Sequence, residues 1–354
     1  MATPEITIYG AGIFGLSIAF EILKRGQTVE IIEINKPGFG SSGGVLGALA
    51  PHTPDNWNEK KQFQFESLIK QDNFWNEVKS IGGKDAQYCR FGRISPLLDE
   101  RAIQLSAERT ANAKSLWKGL ASWETLDKLD KNWEIPSPTG LYSFDTLSAQ
   151  LNPKKACDAL LSAVKAMGAK IIIDPKYAKY ESKNDNLEVW ATGYYGLQKL
   201  SGDLEKSIGD GVKGQAALLA LDRKNYPQLF VGGIHIIPQE NNSVAIGSTS
   251  EITWQHENTD EKLDRMIEKI KKICPALSNS NVINVWSGIR PRAKGRSPLI
   301  GPHPNKKNVF IANGGFKIGI GLAPKIAEIT ADFLLENINH IPKKFTPNYL
   351  LSIK

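Results

Sequence analysis

Glycines at positions 10, 12 and 15 follow directly on the apolar run Ile6–Tyr9 and open a helical pattern that extends from Ile13 to Arg25 and stops at Gly26. Strand, G-x-G-x-x-G and helix in that order suit a dinucleotide. Gly10 permits the tight turn, Gly12 lets the backbone approach a pyrophosphate, and Gly15 lets the helix pack on the strand. The N–H groups at the helix start, those of Ile13 and Phe14 among them, then face the phosphates. A second strand, Thr28–Ile32, ends in Glu33 at about the 20-residue separation this motif uses. A carboxylate there accepts ribose hydroxyls and repels a 2′-phosphate, which favours FAD or NAD over NADP.

Three further positions carry chemistry. Val285–Ile289 reads as a strand ending in Arg290-Pro291, which sets a guanidinium at a fixed edge where its planar fork can hold a carboxylate. A structural arginine paired with an acid is the alternative. Gly314, Gly315, Phe316, Lys317, Ile318 and Gly319 precede an apolar helix running to about Ile338. The start of that helix can stabilise negative charge, and Lys317 can reach the same place, reach a substrate carboxylate, or lie on the surface. Between Pro37 and His52 lies a stretch too rich in glycine for a regular element and too apolar for a solvated linker. Its Ser41, Ser42, Gly43, Gly47 and Ala48 suit close passage along a long ligand. His52, which closes it, is a candidate catalytic base or a packing histidine. Tyr194, Tyr195 and Tyr226 are candidates to line a cavity.

Four segments taken together resemble the D-amino-acid oxidase superfamily, which includes glycine oxidases, D-amino-acid dehydrogenases and sarcosine oxidases. They are the N-terminal fingerprint, the run Ser41–Ala50, Glu188-Val189-Trp190-Ala191-Thr192-Gly193, and Ile311-Ala312-Asn313-Gly314-Gly315-Phe316. The resemblance runs to about residue 338. It implies FAD rather than NAD, with Ala191, Thr192 and Gly193 forming a second approach to the cofactor and Val212-Lys213-Gly214-Gln215 opening a substrate domain. It implies that Arg290 clamps a substrate carboxylate, and that Lys317 stands where glycine oxidases carry an arginine. The implied activity is oxidation of the C–N bond of a small amino acid or secondary amine by hydride transfer to flavin N5, followed by imine hydrolysis. Two departures stand out: the stretch after Arg290 lacks the aspartate expected near Gly295, and no cysteine suits covalent flavin attachment, so FAD is expected to bind non-covalently. A related branch of the superfamily acts on a carboxymethylaminomethyl-modified tRNA uridine and gives one alternative. A non-catalytic flavin-binding subunit of an amine dehydrogenase complex gives another.

The elements that must position these residues follow from periodicity. Lys60–Ile81, Glu100–Leu120, Pro153–Met167 (capped by Asn152) and Asp260–Ile273 read as helices. Ala216–Leu221, Leu229–Ile237 and Ser243–Thr249 read as strands, the last two joined at Glu240–Asn242. The expected fold class is α/β, a Rossmann-like FAD-binding domain (residues 1–85, 146–211 and 284–354). It carries a second α+β substrate domain (86–145 and 212–283) with a largely antiparallel sheet. At 354 residues, two lobes are the default. Cys89, Cys157 and Cys274 lie far apart, against a disulfide framework or a zinc site, and the early apolar strand leaves no room for a leader; a cytoplasmic location is expected. No run approaches the roughly 18 apolar residues of a membrane span. The net charge of +7 is spread along the chain without a basic stripe, so a small amine or amino acid is the expected partner rather than nucleic acid. Oligomerisation is left open.

Overall fold

The computed structural model describes residues 6–179 and 186–352. The chain runs β1 (Ile6–Tyr9), α1 (Ile13–Lys24), β2 (Val29–Glu33), β3 (Gly47–Leu49), α2 (Glu59–Ile69), α3 (Gln71–Gly82), β4 (Arg93–Pro96) and α4 (Glu100–Leu116). It continues through β5 (Trp123–Leu126), β6 (Tyr142–Asp145), β7 (Ala149–Leu151), α5 (Pro153–Ala166), β8 (Lys170–Ile173), β9 (Leu187–Trp190) and α6 (Gly193–Asp203). There follow β10 (Gly209–Ala220), β11 (Gln228–Val231), β12 (Ile234–Gln239), β13 (Ser243–Gly247), α7 (Glu261–Ile273) and β14 (Val282–Ala293). The last elements are β15 (Leu299–Pro302), β16 (Val309–Asn313), α8 (Gly319–Glu336) and α9 (Pro347–Ser352).

Six strands form one sheet in the order β15-β16-β9-β1-β2-β8, parallel except for β15. Both faces are covered, so its strands read as nearly continuous apolar runs. Ile8, Ile31 and Phe310 face a core with α1, α5 and α8, while Tyr9, Ile32 and Ile311 face a second core with α6 and Leu350. Eight strands form a second sheet, β14-β10-β13-β12-β11-β4-β6-β5, antiparallel except where β11 meets β4, and β3 pairs with β7 in a small third one. One face packs Ala217, Leu219, Ile236 and Ile246 on Leu263, Met266, Ile267 and Ile270 of α7. The opposite face packs Leu218, Ile237 and Ala245 on Val45, Leu46 and Ala48 of the glycine-rich run. No helix among the described residues is long and apolar enough to cross a membrane.

Three elements differ from expectation. The helix predicted over 60–81 is two helices broken at Lys70; the break sets buried Gln71 to donate to the Gly321 carbonyl at 3.0 Å and to accept from Trp75 Nε1 at 2.7 Å. The strand predicted over 229–237 is a hairpin, because Gly232 and Gly233 both adopt positive φ (58° and 82°) and turn the chain in two residues. β14 is continuous across residue 284, pairing with β10 along its length, so Arg290 belongs to the eight-stranded sheet.

Candidate active site

The dinucleotide turn has little space for side chains. A Cβ on Gly10, whose φ is +99°, would lie 2.4 Å from the Ala191 carbonyl oxygen, and one on Gly15 would lie 1.9 Å from that of Gly10. This closeness seats the start of α1 directly over β1. Gly12 caps α1 without a side-chain hydrogen bond, and Ile13 N donates to Ser42 Oγ at 3.0 Å. The 3-10 turn Ser41–Gly43 is thereby docked at the positive end of α1. Glu33, at the tip of β2, accepts from Ala11 N at 2.8 Å and Asn35 N at 3.0 Å, which fixes its carboxylate beside the turn.

From Ser42 the chain crosses to the second sheet. Gly38 N donates to Ala11 O at 2.9 Å, and Gly47 pairs with Leu151 so closely that a Cβ would lie 2.1 Å from its carbonyl oxygen. Ala48 and its neighbours then rest on Leu218 and Ile237. His52 does not join Arg290: its ring and its backbone N–H both meet Gln64 Oε1, and Gln64 Nε2 donates to Ala50 O at 3.1 Å. Burial, together with Lys60 and Lys61, lowers its pKa.

The C-terminal glycine loop closes on the same turn. Ala191 N donates to Tyr9 O; Asn313 Nδ2 donates to Gly193 O at 2.9 Å and Asn313 Oδ1 accepts from Gly314 N at 2.7 Å. Thr192 caps α6 without a side-chain bond. Phe14 wedges under the loop, where a Cβ on Gly315 would lie 2.8 Å from its ring and Gly319 also packs against it. Ile318 precedes α8 without a side-chain cap, leaving that helix start open. Phe316 N donates to Pro291 O at 3.0 Å, so Lys317 is tied to the strand end that carries Arg290. Arg292 and Lys317 each lie 5.8 Å from the Phe316 ring centre.

Arg290 is 8% exposed. Its guanidinium lies flat over Gly214, where a Cβ would fall 1.9 Å from Nη2, so only glycine fits beneath it. Nη2 donates to Ser248 Oγ at 2.7 Å and Nη1 to the Thr249 carbonyl at 3.3 Å; no carboxylate pairs with it among the described residues. Burial pushes its pKa down to about 10, against the pull of Glu251, so it stays protonated at neutral pH. Burial and Arg290 likewise lower that of Lys317.

Of the tyrosines, Tyr194 packs against Gly211 and Trp254, and Tyr195 donates to Glu257 Oε1 at 2.8 Å. Tyr226 is elsewhere, donating to Asp130 Oδ2 at 2.8 Å beside Trp133, and does not line this site. One further polar residue on this face was not singled out from the sequence. His235 of β12 sits opposite Gly247 and feels the charge of Lys317. The available signal was a polar residue at an inward position of an otherwise apolar strand.

A model of the family described as FAD dependent oxidoreductase matches residues 5–333. Glycine oxidases of Bacillus licheniformis and Bacillus subtilis (strain 168) are each 23% identical over 94% of this chain and 93% of theirs. Among solved structures, glycine oxidase from Geobacillus kaustophilus and iminodiacetate oxidase from Chelativorans sp. BNC1 each superpose with a TM-score of 0.81 at 18% identity. In both cases the match covers 97% of this chain and 98% of the other. At that identity the structures show a shared fold.

Proposed function

The chain belongs to the FAD dependent oxidoreductase family, and from that premise we propose that it oxidises the C–N bond of a small amino acid or secondary amine that carries a carboxylate. The residues fit the cofactor. Glu33 would take the adenosine ribose, and the start of α1 with Ser42 the pyrophosphate. Ser41, Gly43, Gly47, Ala48 and Ala191–Gly193 would line the path between. Gly314–Gly319 and the start of α8 would meet the electron-rich edge of the ring. Bound FAD would supply the two-electron acceptor for a hydride from the substrate α-carbon. Buried Cys157 and Cys274, and a Cys89 thiol pushed up to about 12 by burial, support non-covalent binding. Three free thiols also support a reducing, cytoplasmic setting.

The observation that carries this reading is Arg290: a buried, protonated guanidinium with neutral partners. Glu251, the acid whose charge it feels, is committed to Lys262, Gln215 and Thr249. Arg290 can therefore accept a substrate carboxylate without breaking an internal ion pair. It orients the α-carbon, and Lys317 adds a second positive charge. The glycine oxidase and iminodiacetate oxidase relatives support substrates with an N-carboxymethyl group.

Protein reconstituted with FAD and mixed anaerobically with glycine, sarcosine, iminodiacetate and D-alanine tests this. Bleaching of the flavin absorbance by at least one is expected, with the flavin released on acid precipitation. A bound flavin that none of them reduces would overturn the proposal.

A further inference from the structure

His235 lies on the same sheet face as Arg290. It pairs with Gly247 across β12 and β13, and Gly247 pairs with Ala216 across β13 and β10, so the three occupy one row. A Cβ on Gly247 would lie 2.9 Å from Ala216 Cβ and 3.3 Å from Leu46 Cδ2, so that row faces the glycine-rich run. Gly214, two residues along β10 from Ala216, shares the face and carries the Arg290 guanidinium. Arg290 is also bonded to Ser248, next to Gly247. Arg290 and His235 thus lie on one sheet face, on either side of the small residues Gly214, Ala216 and Gly247.

Its tautomer follows from its neighbours. Gln228 Nε2 donates to the Ala149 carbonyl at 3.0 Å, which turns Gln228 Oε1 toward His235 Nδ1 at 3.1 Å. An amide oxygen only accepts, so Nδ1 carries the hydrogen. The Phe230 ring, 4.6 Å away, holds the imidazole plane. The charged groups facing it are Arg93 of β4, paired with Asp145 of β6 at 3.0 Å, and Lys317 ahead of α8. Together with burial, the two cations hold its pKa near 3. The ring is neutral at physiological pH. Its Nε2 has no hydrogen-bond partner among the described residues and is not sealed in the core.

We propose that His235 is a substrate-binding residue that accepts an N–H hydrogen bond from the substrate amine at Nε2 while Arg290 holds the carboxylate. This rests on the amino-acid oxidation proposed above. A lone pair facing outward repels a carboxylate, so the two ends of an amino acid are sorted by chemistry: anion to Arg290, donor to His235. The positive charges of Arg290 and Lys317 disfavour an ammonium, so the bound amine is neutral. Bound FAD would take the α-hydrogen as hydride with its electron pair, and the C–N bond would become C=N with a cationic nitrogen. Its N–H remains in place as a stronger donor, and water later hydrolyses the iminium to the carbonyl compound and the free amine. The bond to Nε2 therefore strengthens toward the transition state.

The test compares ligands with and without the N–H on the FAD-loaded protein. Sarcosine and glycine are followed by half-saturation of anaerobic flavin reduction, and their isosteres methoxyacetate and propionate by flavin-absorbance titration. His235→Phe is expected to raise the half-saturation of the amino acids about tenfold, while the isosteres change less than about twofold. His235→Gln, which restores an acceptor oxygen, should recover part of that loss and controls for folding. Equal weakening of both ligand types, or no change in either, would overturn the assignment while leaving the proposed function standing. A wild-type flavin that no amino acid reduces would bring down both.

Discussion

The two faces of the eight-stranded sheet treat buried charge in opposite ways. Toward α7, Lys213 is fully buried and its ammonium meets Asp260 Oδ2 at 2.8 Å. Gln215 bridges Asp260 Oδ1 and Glu251 Oε1, and Glu251 is closed off by Lys262 at 2.9 Å and by Thr249 Oγ1. The side-chain donors there end on carboxylates of this chain. Toward the glycine-rich run, Arg290 ends on a hydroxyl and a carbonyl, and among the described residues Lys317 meets no acid and His235 Nε2 no donor. Desolvating an ion is costly, and a closed network offsets that cost within the chain. On the other face the network is left open, and under the proposed function a substrate carboxylate would complete it.

Breaking each face should separate these roles. Arg290→Ala removes the open cation. Half-saturation for carboxylate substrates is expected to rise about a hundredfold, roughly 3 kcal/mol, with FAD retained and the melting temperature unchanged or raised. An affinity loss below threefold on steady-state kinetics would show that the inner face is not a carboxylate site. Asp260→Ala opens the closed network and strands Lys213; because Asp260 is partly exposed, the expected loss is about 2 kcal/mol in urea unfolding, with a smaller effect on substrate half-saturation. An unshifted midpoint would mean that solvent replaces the pair.

A third contrast is in pH dependence, where the two faces occupy different windows. His235 is pushed from 6.5 to about 3 in the folded chain. Above pH 6.5 neither state binds the proton and the residue contributes nothing to the slope. Below it the unfolded chain takes a proton that the folded chain refuses, and stability falls until the native ring titrates near pH 3. Asp260 is held below its usual 3.8, chiefly by Gln215 and Lys213. Its contribution is present above 3.8 and is lost only as pH falls toward its lowered folded value. His235→Gln should flatten the denaturation profile between pH 6.5 and 4, and Asp260→Asn should leave that window unchanged. Identical profiles for both variants would erase the distinction.

Much of the frame was legible because its determinants are local. The order of apolar strand, glycine spacing and Glu33 predicts the turn that the structure shows, with Gly10 and Gly15 where no Cβ fits. Asn152 caps α5 as expected, accepting from Lys155 N, and Asp260 caps α7. The hairpin at Gly232-Gly233 was readable from the glycine pair but lay inside an apolar run that looked like one strand. The break at Lys70 was not, since Gln71 turns inward to a carbonyl 250 residues away. The sequence left His52 open between a catalytic base and a packing histidine, and its partner is Gln64 of α2.

Sequence alone determined the dinucleotide turn, the capped helices and the family, because backbone sterics and capping act within a few residues. Only tertiary structure decided which charges are answered. Arg290 is available because β10 offers a glycine beneath it and Glu251 is already engaged. His235 presents a lone pair because Gln228, Arg93 and Lys317, from three separate parts of the chain, fix its hydrogen and keep a second proton off. Charge and protonation depend on distance through space and on burial, and neither is written in the spacing of residues along the chain.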